Sequence, residues 1–262
     1  QHVCIRNMDR PEGTAIYTAI LNARGTYESD LTAHRIAPDH YRLFVGTNAI
    51  KRDLTWLQRR SDGFNVTLTD STEDYAVLGL MGPDAARIIA ETGAPELNEL
   101  GYFKVGPAHI VGKHVRAVRM SYVGEAGWEI TCKAENASAI YAAMTAAGAV
   151  PAGLFAQTSM RIEKGFAAMG HELDSDISPV QVGMAGMAKK TGGFIGAEAL
   201  AKHRETQKLS MVTILLDDDS AVPIGHEPIY LGDKIIGQTT SAAYGYRVGA
   251  PIALAHVSDV QD

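Results

Sequence analysis

Residues 121–130 read S-Y-V-G-E-A-G-W-E-I and place two glycines and two carboxylates between apolar, strand-like stretches. Gly124 and Gly127 indicate a tight turn, because glycine adopts backbone conformations that other residues avoid. In the strand that follows, neighbouring side chains point to opposite faces, so Glu129 is expected to face away from Trp128. A buried carboxylate in that position needs a partner or a ligand. On this segment alone, a hairpin with a solvated glutamate is the simpler interpretation.

The bulk composition is that of an ordinary folded protein. The chain has 262 residues, enough for one large domain or two to three small ones. Hydrophobic residues make up 46% and charged residues 21%, which differs from the composition of disordered chains. The formal net charge of -6 argues against nucleic acid as a main partner, because nucleic-acid-binding surfaces are usually basic.

The cysteines and the apolar runs bear on the cellular compartment. Cys4 and Cys132 are far apart and show no C-x-x-C spacing, which indicates structural thiols in a reducing compartment. No apolar run reaches membrane-spanning length and no basic-then-apolar leader opens the chain, so no membrane partner is expected. The cytoplasm is the default expectation, and an organelle matrix is the alternative if a transit peptide has been removed.

The order of the hydrophobic patterns predicts an α+β chain, in which no sequence repeat is visible. Helices are predicted at about residues 14–24, 49–60, 134–147 and 154–164, with strands between them. From about Leu209 onward, short apolar segments separated by glycine-containing turns predict strands only, as in a small barrel or sandwich.

A second polar segment lies at residues 25–32, which read G-T-Y-E-S-D-L-T. Strand alternation puts Glu28, Asp30, Thr32 and His34 on one face of this segment. That face is either solvated or the wall of a pocket. From the residues alone, a solvated face is favoured, because charged strand faces are usually wet.

Four ordered blocks of the chain resemble the glycine-cleavage T-protein family, whose members bind tetrahydrofolate. Residues 121–130 resemble the family motif S-Y-T-G-E-x-G-W/V-E-I. Residues 25–32 resemble its G-G-x-x-x-D-L segment, most closely in the E-S-D-L-T version of dimethylglycine and sarcosine dehydrogenases. Residues 153–165 are similar to its G-L-x-A-R-D-S-L-R-L-E-x-G helix, and residues 170–179 with 189–196 are similar to its G-x-D-L and K-x-x-F-I-G segments.

The resemblance implies roles for five residues. Asp30 matches the family aspartate beside the folate nitrogens that receive the one-carbon unit, which makes it the candidate catalytic residue. Tyr17 and Tyr122 match tyrosines that line the pterin pocket. Because Tyr17 lies on a predicted helix, it could equally serve only in packing. Glu129 matches a glutamate that accepts hydrogen bonds from the pterin, and a carboxylate can accept two adjacent N–H groups. Gln157 replaces a folate-binding arginine of the glycine-cleavage enzyme and supplies no charge.

Other residues of these blocks are assigned no part in the chemistry. Arg161 and Glu163 do not face each other, because they are two residues apart on a predicted helix. Each is interpreted as a member of a structural ion-pair network. His171-Glu172 lacks a second histidine at metal spacing, so no metal site is expected. No phosphate-binding G-x-G-x-x-G or P-loop and no G-x-S-x-G nucleophile elbow occurs, which argues against a nucleotide or flavin domain within this chain.

The resemblance also implies a fold and an activity. The fold would be an α+β cloverleaf around a central folate site, with α+β lobes at residues 1–74 and 75–172 and a C-terminal β-barrel domain at residues 173–262. The activity would be tetrahydrofolate-dependent transfer of a one-carbon group, aminomethyl or methyl, from a small amine or methylated donor. The alternatives are a non-catalytic folate-binding module of a flavin-linked dimethylglycine or sarcosine dehydrogenase, and a folate-dependent demethylase.

By comparison with the family, the chain is expected to be a fragment. By this expectation it would lack a segment before Tyr17 and a final strand or two. Unpaired sheet edges would then be exposed, and exposed edges favour pairing with a second chain. Formation of a homodimer is therefore one expectation.

Overall fold

The computed structural model describes residues 1–221 and 223–258. Within them lie eleven strands and five α-helices, which confirms the predicted α+β class. The strands are β1 (Thr14–Leu21), β2 (Tyr27–Ala37), β3 (His40–Val45), β4 (Tyr75–Met81), β5 (Val105–Ile110), β6 (Lys113–Arg119), β7 (Gly127–Lys133), β8 (Leu209–Leu215), β9 (Pro228–Leu231), β10 (Lys234–Gly245) and β11 (Ala250–Ser258). The α-helices are α1 (Ile50–Arg60), α2 (Ala85–Glu91), α3 (Ala137–Ala146), α4 (Leu154–Glu163) and α5 (Ala197–Thr206).

The first sheet is the antiparallel meander β1-β2-β3. On one of its faces, buried Ile16 and Leu31 pack against Trp56 and Leu57 of α1. Because side chains alternate along a strand, Asp30 of β2 lies on the opposite face. That face is not covered by α1 and turns towards the second sheet.

The second sheet is antiparallel and has the order β4-β7-β6-β5. Its apolar face carries Trp128 and Ile130 of β7, which pack with Ile89 of α2 and Ile140 of α3 in the largest buried cluster. Glu129, between Trp128 and Ile130, lies on the other face, as the alternation predicted. The first sheet is therefore covered on one side by α1 and the second by α2 and α3. The opposite faces carry Asp30 and Glu129 among apolar side chains such as Ala15 and Val118.

The two sheets repeat one arrangement that was not visible in the sequence. A three-stranded meander followed by a helix occurs as β1-β2-β3-α1 and again as β5-β6-β7-α3. In the second copy, β4 pairs with the outer edge of β7. The corresponding edge of β3 carries no paired strand among residues 1–221 and 223–258.

The last part of the chain forms a third unit beside these sheets. Strands β8 to β11 make an antiparallel sheet in the order β8-β11-β10-β9, and α4 packs against β10 and β11 through Ile162 and Leu254. Before that sheet, the segment that contains Leu173 and Phe194 packs on Tyr27 at the end of the first sheet. The domain boundaries at residues 74 and 172 stay a prediction.

The predicted helices at residues 49–60, 134–147 and 154–164 are confirmed as α1, α3 and α4, whereas the predicted helix at residues 14–24 is wrong. Residues 14–21 form β1, which pairs with β2 along its whole length. Six of the eight β1 side chains are buried, on both faces of the sheet. A strand with two buried faces lacks polar alternation, so its periodicity resembles that of a buried helix.

Both cysteines, Cys4 and Cys132, are buried and unpaired. In the described part of the chain, no helix combines the length and the apolar character needed to cross a membrane. Nor do the described residues contain a group of three or more His, Cys, Asp or Glu side chains arranged to hold a metal ion.

Candidate functional site

The uncovered faces of the first two sheets lie opposite each other and meet where Ala15 packs on Val105 and Val118. The space between these faces is called the cleft. Backbone hydrogen bonds join the start of β1 to the segment before β5, with Ala15 N donating to Phe103 O at 2.9 Å and Val105 N donating to Gly13 O at 2.8 Å. On the other side, the guanidinium of Arg42 on β3 lies 4.0 Å from the ring centroid of Tyr75 on β4. These contacts hold the two faces opposite each other along both margins.

Asp30 and Tyr17 form a hydrogen-bonded pair on the first wall of the cleft. The register pairs Ala19 with Asp30 and Tyr17 with Thr32, so that both side chains share one face. The Tyr17 hydroxyl donates to Asp30 Oδ2 at 2.9 Å. Burial raises the pKa of Asp30, and the hydrogen bond from Tyr17 partly opposes that rise. Burial and the neighbouring Asp30 also raise the pKa of Tyr17 well above its usual value.

Behind Asp30, the opposite face of β2 is fixed to α1 by a polar cluster that the sequence did not reveal. Ser29 Oγ donates to Asp53 Oδ2 at 2.6 Å, and Arg52 Nε lies 3.0 Å from Asp53 Oδ1. Ser29 and Asp53 are both buried. A buried aspartate on the apolar side of a predicted helix was the available signal, because such a residue requires a partner. The cluster fixes the strand that carries Asp30.

Glu129 lies on the second wall, on β7 between β4 and β6. The register places it opposite Gly79 on one side and Val118 on the other, so that neither neighbour offers a polar side chain. Its carboxylate makes no hydrogen bond or ion pair with the described residues, and burial raises its pKa. A partly buried carboxylate without a protein partner is free to accept hydrogen bonds from a ligand.

Tyr122 follows β6 and contacts the segment that follows α4. Its hydroxyl donates to Ala167 O at 2.8 Å, and its ring stacks on Phe166 with 5.9 Å between the centroids. Burial raises the pKa of Tyr122 to about 12, and the nearby charge of Asp30 contributes to that rise. Tyr122 also contributes to the raised pKa of Tyr17, so its hydroxyl lies within electrostatic range of the Tyr17–Asp30 pair.

Gln157 is not joined to that group. It lies in the first turn of α4, and its side chain makes no hydrogen bond within the described residues. The start of this helix is open to solvent, since Phe155 is 95% exposed and Leu154 is 79% exposed. The structure therefore brings three of the five predicted site residues within electrostatic range of one another, places Glu129 on the facing wall and leaves Gln157 apart.

Arg161 and Glu172 form a buried ion pair at the edge of the cleft. Arg161 is 2% exposed and Glu172 is 0% exposed, and Arg161 Nη1 lies 2.6 Å from Glu172 Oε2. Arg161 Nη2 donates to Ser241 Oγ at 2.7 Å, and Thr240 Oγ1 donates to Glu172 Oε1 at 2.7 Å. Burial alone would raise the pKa of Glu172, but the hydroxyls of Ser241 and Thr240 and the Arg161 guanidinium lower it.

This pair supplies the partner that the sequence interpretation of Arg161 left open. Arg161 was expected to belong to a structural ion-pair network without facing Glu163, and its partner is Glu172, eleven residues away. Glu163 instead accepts hydrogen bonds from the backbone N–H groups of Arg247 and Val248. Residues two apart on a helix point in different directions, which separates Arg161 from Glu163.

His34 marks the other end of the first wall. It is buried, and neither ring nitrogen has a hydrogen-bond partner. Burial and the neighbouring Arg42 and Arg116 guanidinium groups lower the pKa of His34 to about 4. The imidazole is therefore neutral at physiological pH, and the positive charge at this end of the cleft belongs to the two arginines.

The unpartnered carboxylate of Glu129 gives a testable effect on stability. Because its pKa is raised above the ordinary 4.5, the folded protein holds that proton more tightly than the unfolded chain. Ionisation at higher pH therefore destabilises the fold. Glu129→Gln should raise the thermal unfolding midpoint at about pH 7, and the gain should disappear below about pH 4, where the carboxyl is protonated in both states.

Glu135→Gln is the matched control for this experiment, because Glu135 is exposed in the same lobe. It should leave the midpoint unchanged at both pH values. Destabilisation by Glu129→Gln at neutral pH would contradict the description of Glu129 as a carboxylate without a protein partner.

Comparison with known families agrees with this architecture. Residues 1–192 match the GCVT N-terminal domain, and residues 210–261 match the glycine cleavage T-protein C-terminal barrel domain. The chain belongs to the glycine-cleavage T-protein family. The resemblance of the four sequence blocks to that family is thereby confirmed.

The relatives that are similar in sequence are of two kinds, aminomethyltransferases and dimethylglycine dehydrogenases. The aminomethyltransferase of Thermus thermophilus is 33% identical over 247 residues, which cover 94% of this chain and 70% of the relative. The mitochondrial dimethylglycine dehydrogenase of Mus musculus is 30% identical over 249 residues, which cover 91% of this chain and 29% of the relative. The chain thus corresponds to most of the first protein and to less than a third of the second.

A solved T-protein structure shares the fold. The crystal structure of glycine cleavage system aminomethyltransferase T from Bartonella henselae matches with a TM-score of 0.87 and 24% sequence identity. The match covers 98% of this chain and 72% of that chain. It confirms the expected T-protein-like α+β fold with a small C-terminal β domain.

Proposed function

We propose that the cleft between the first two sheets binds tetrahydrofolate and that the protein is a folate-dependent one-carbon transferase. The observation that supports this most is the pair of facing walls. One wall carries Asp30, hydrogen-bonded to Tyr17, and the other carries Glu129, which has no partner among the described residues. Membership of the T-protein family, with an aminomethyltransferase among the relatives, supports the same proposal.

Glu129 suits the amide edge of a pterin. That edge presents adjacent N–H donors, and an ionised carboxylate accepts two such donors at once. A glutamine there would offer one acceptor and two unwanted donors. Glu129 would therefore bind and orient the ring, and Tyr122 would lie against its flank.

Asp30 would act on the reacting group. Tetrahydrofolate, when bound, supplies the nitrogen that accepts the one-carbon unit. The Asp30 carboxylate, held by Tyr17, would lie beside that nitrogen and stabilise positive charge as it develops. The raised pKa of Asp30 also allows it to take up or release a proton during transfer.

A second candidate is a folate-binding module of a flavin-linked dimethylglycine dehydrogenase. The match to 29% of the Mus musculus enzyme favours it, because the remainder of such a protein would supply the one-carbon donor. Gln157, where the glycine-cleavage enzyme is expected to carry an arginine, also favours it. A folate-dependent demethylase remains the third hypothesis. Cytoplasmic location and homodimer formation stay predictions from the sequence.

Calorimetric titration with tetrahydrofolate tests the binding proposal. Wild type should bind, and Glu129→Gln should bind about ten- to a hundredfold more weakly, because a hydrogen bond to a charged group contributes about 1.5–3 kcal/mol. Glu135→Gln, which removes the same charge from the surface, should bind like wild type. Absence of binding by folded wild type would contradict the proposal, and equal binding by Glu129→Gln would remove the role of Glu129.

A further inference from the structure

Two consecutive peptide groups next to Tyr122 are held by three side chains. Phe166 O accepts from Arg161 Nη1 at 2.9 Å. Ala167 O accepts from the Tyr122 hydroxyl at 2.8 Å. Ala168 N donates to Glu172 Oε2 at 3.0 Å. Ala167 O and Ala168 N belong to the same peptide group, and Phe166 O belongs to the one before it. The buried ion pair therefore holds the peptide group that Tyr122 contacts and the peptide group that precedes it.

The segment needs such support because glycines lie close to both of its ends. Gly165 precedes it with a φ of 64°, and Gly170 follows shortly after it with a φ of 86°. Both values lie in the left-handed region, which glycine enters at little cost. The chain could therefore turn at either glycine if the peptide groups between them were not fixed.

The buried ion pair of Arg161 and Glu172 is better explained by the backbone geometry that it fixes than by a net gain in stability. A buried ion pair often contributes no more net stability than apolar side chains of the same size, because two charges must lose their hydration. Charge-assisted hydrogen bonds, however, are short and directional and fix the groups that they contact. Arg161 also reaches Ser241 and Glu172 also reaches Thr240, so the segment is fixed relative to β10 as well as to α4.

We propose that Arg161 and Glu172 are positioning residues, which hold segment 166–168 in place and thereby orient the ring of Tyr122 against the bound pterin. The proposal rests on the proposed folate site. Neither charged side chain touches the ligand; the effect reaches it through Ala167 O and the Tyr122 hydroxyl. Loss of the pair should then weaken folate binding only while the Tyr122 hydroxyl is present to transmit it.

A double-mutant cycle in tetrahydrofolate binding tests this dependence. The variants are Tyr122→Phe, which keeps the ring and loses the anchor, Glu172→Gln, and the two combined, all titrated by calorimetry. Each single variant should weaken binding about fivefold, as expected for one hydrogen bond. The double variant should also be weaker by about fivefold, because the two changes interrupt the same path.

Two further variants sharpen the experiment. Thr240→Val removes one hydrogen bond to Glu172 and leaves the ion pair, so it replaces Glu172→Gln in the cycle if the latter does not fold. Ser159→Ala is the control for docking of α4 on β10, because Ser159 Oγ donates to Tyr244 O at 2.6 Å and makes no hydrogen bond with segment 166–168. It should leave folate affinity within about twofold of wild type.

The outcomes separate the two proposals. A double variant that is weaker by about 25-fold, the product of two independent fivefold losses, would overturn the positioning role. Unchanged affinity of Glu172→Gln and Thr240→Val would overturn it as well. In both cases wild type still binds tetrahydrofolate and the proposed function stands. Failure of folded wild type to bind would instead overturn the proposed function and, with it, this role.

Discussion

Asp30→Asn should lower the rate of one-carbon transfer by about a hundred- to a thousandfold while the protein remains folded. Removal of one group that stabilises developing charge costs about that much in enzymes that act electrostatically. Asparagine has the same shape as aspartate but carries no negative charge. The measurement is the initial rate at which 5,10-methylenetetrahydrofolate forms from an aminomethyl donor at saturating tetrahydrofolate. Circular dichroism and the thermal midpoint monitor the fold.

Tyr17→Phe is the companion variant, because it removes the hydrogen bond to Asp30 and leaves the charge. That hydrogen bond lowers the pKa of Asp30, against the rise caused by burial. Without it the pKa rises further, so less carboxylate is ionised at a given pH. The acidic limb of the rate profile should therefore move to higher pH in Tyr17→Phe. Full activity of Asp30→Asn, or an unmoved limb in Tyr17→Phe, would contradict the assigned role of Asp30.

Arg161→Ala should lower the free energy of unfolding by about 3–5 kcal/mol, more than the other predicted substitutions, because it leaves a buried carboxylate without its cation. Glu172 is fully buried, and its lowered pKa depends partly on Arg161. A carboxyl with a lowered pKa stabilises the fold above its ordinary pKa and loses that contribution as the pH falls. The difference in the free energy of unfolding between wild type and Arg161→Ala should therefore become smaller at acidic pH. Urea unfolding at neutral and acidic pH measures it.

The control is Arg247→Ala, which removes the exposed partner of Glu125. An exposed ion pair contributes about 0–1 kcal/mol, so this variant should unfold close to wild type. A similarly small loss for Arg161→Ala would contradict the described burial of the Arg161–Glu172 pair.

Much of the cleft could be predicted from local alternation. The period of two on either side of Glu129 separated it from Trp128, and the same rule put Asp30 on one face of β2. Each of these inferences depends on residues that are adjacent in sequence. The direction of those side chains therefore needed no knowledge of the tertiary structure.

Other features depend on contacts between distant parts of the chain. The strand β1 was mistaken for a helix because its neighbours bury both of its faces, which removes the polar alternation. The pairing of Arg161 with Glu172 depends on how the segment after α4 folds back. The hydrophobic periodicity of α4 gives no information about the path of that segment. The repeated meander-and-helix arrangement is a property of the backbone, and the two copies share no visible sequence pattern.

A crystal structure of this protein with tetrahydrofolate bound tests the central proposal most directly. The account predicts a pterin between the first two sheets, with its amide-edge N–H groups within hydrogen-bond distance of the Glu129 carboxylate. The nitrogen that accepts the one-carbon unit should lie on the side of Asp30 and Tyr17. An ordered pterin outside this cleft, or one inside it that does not contact Glu129, would contradict the account.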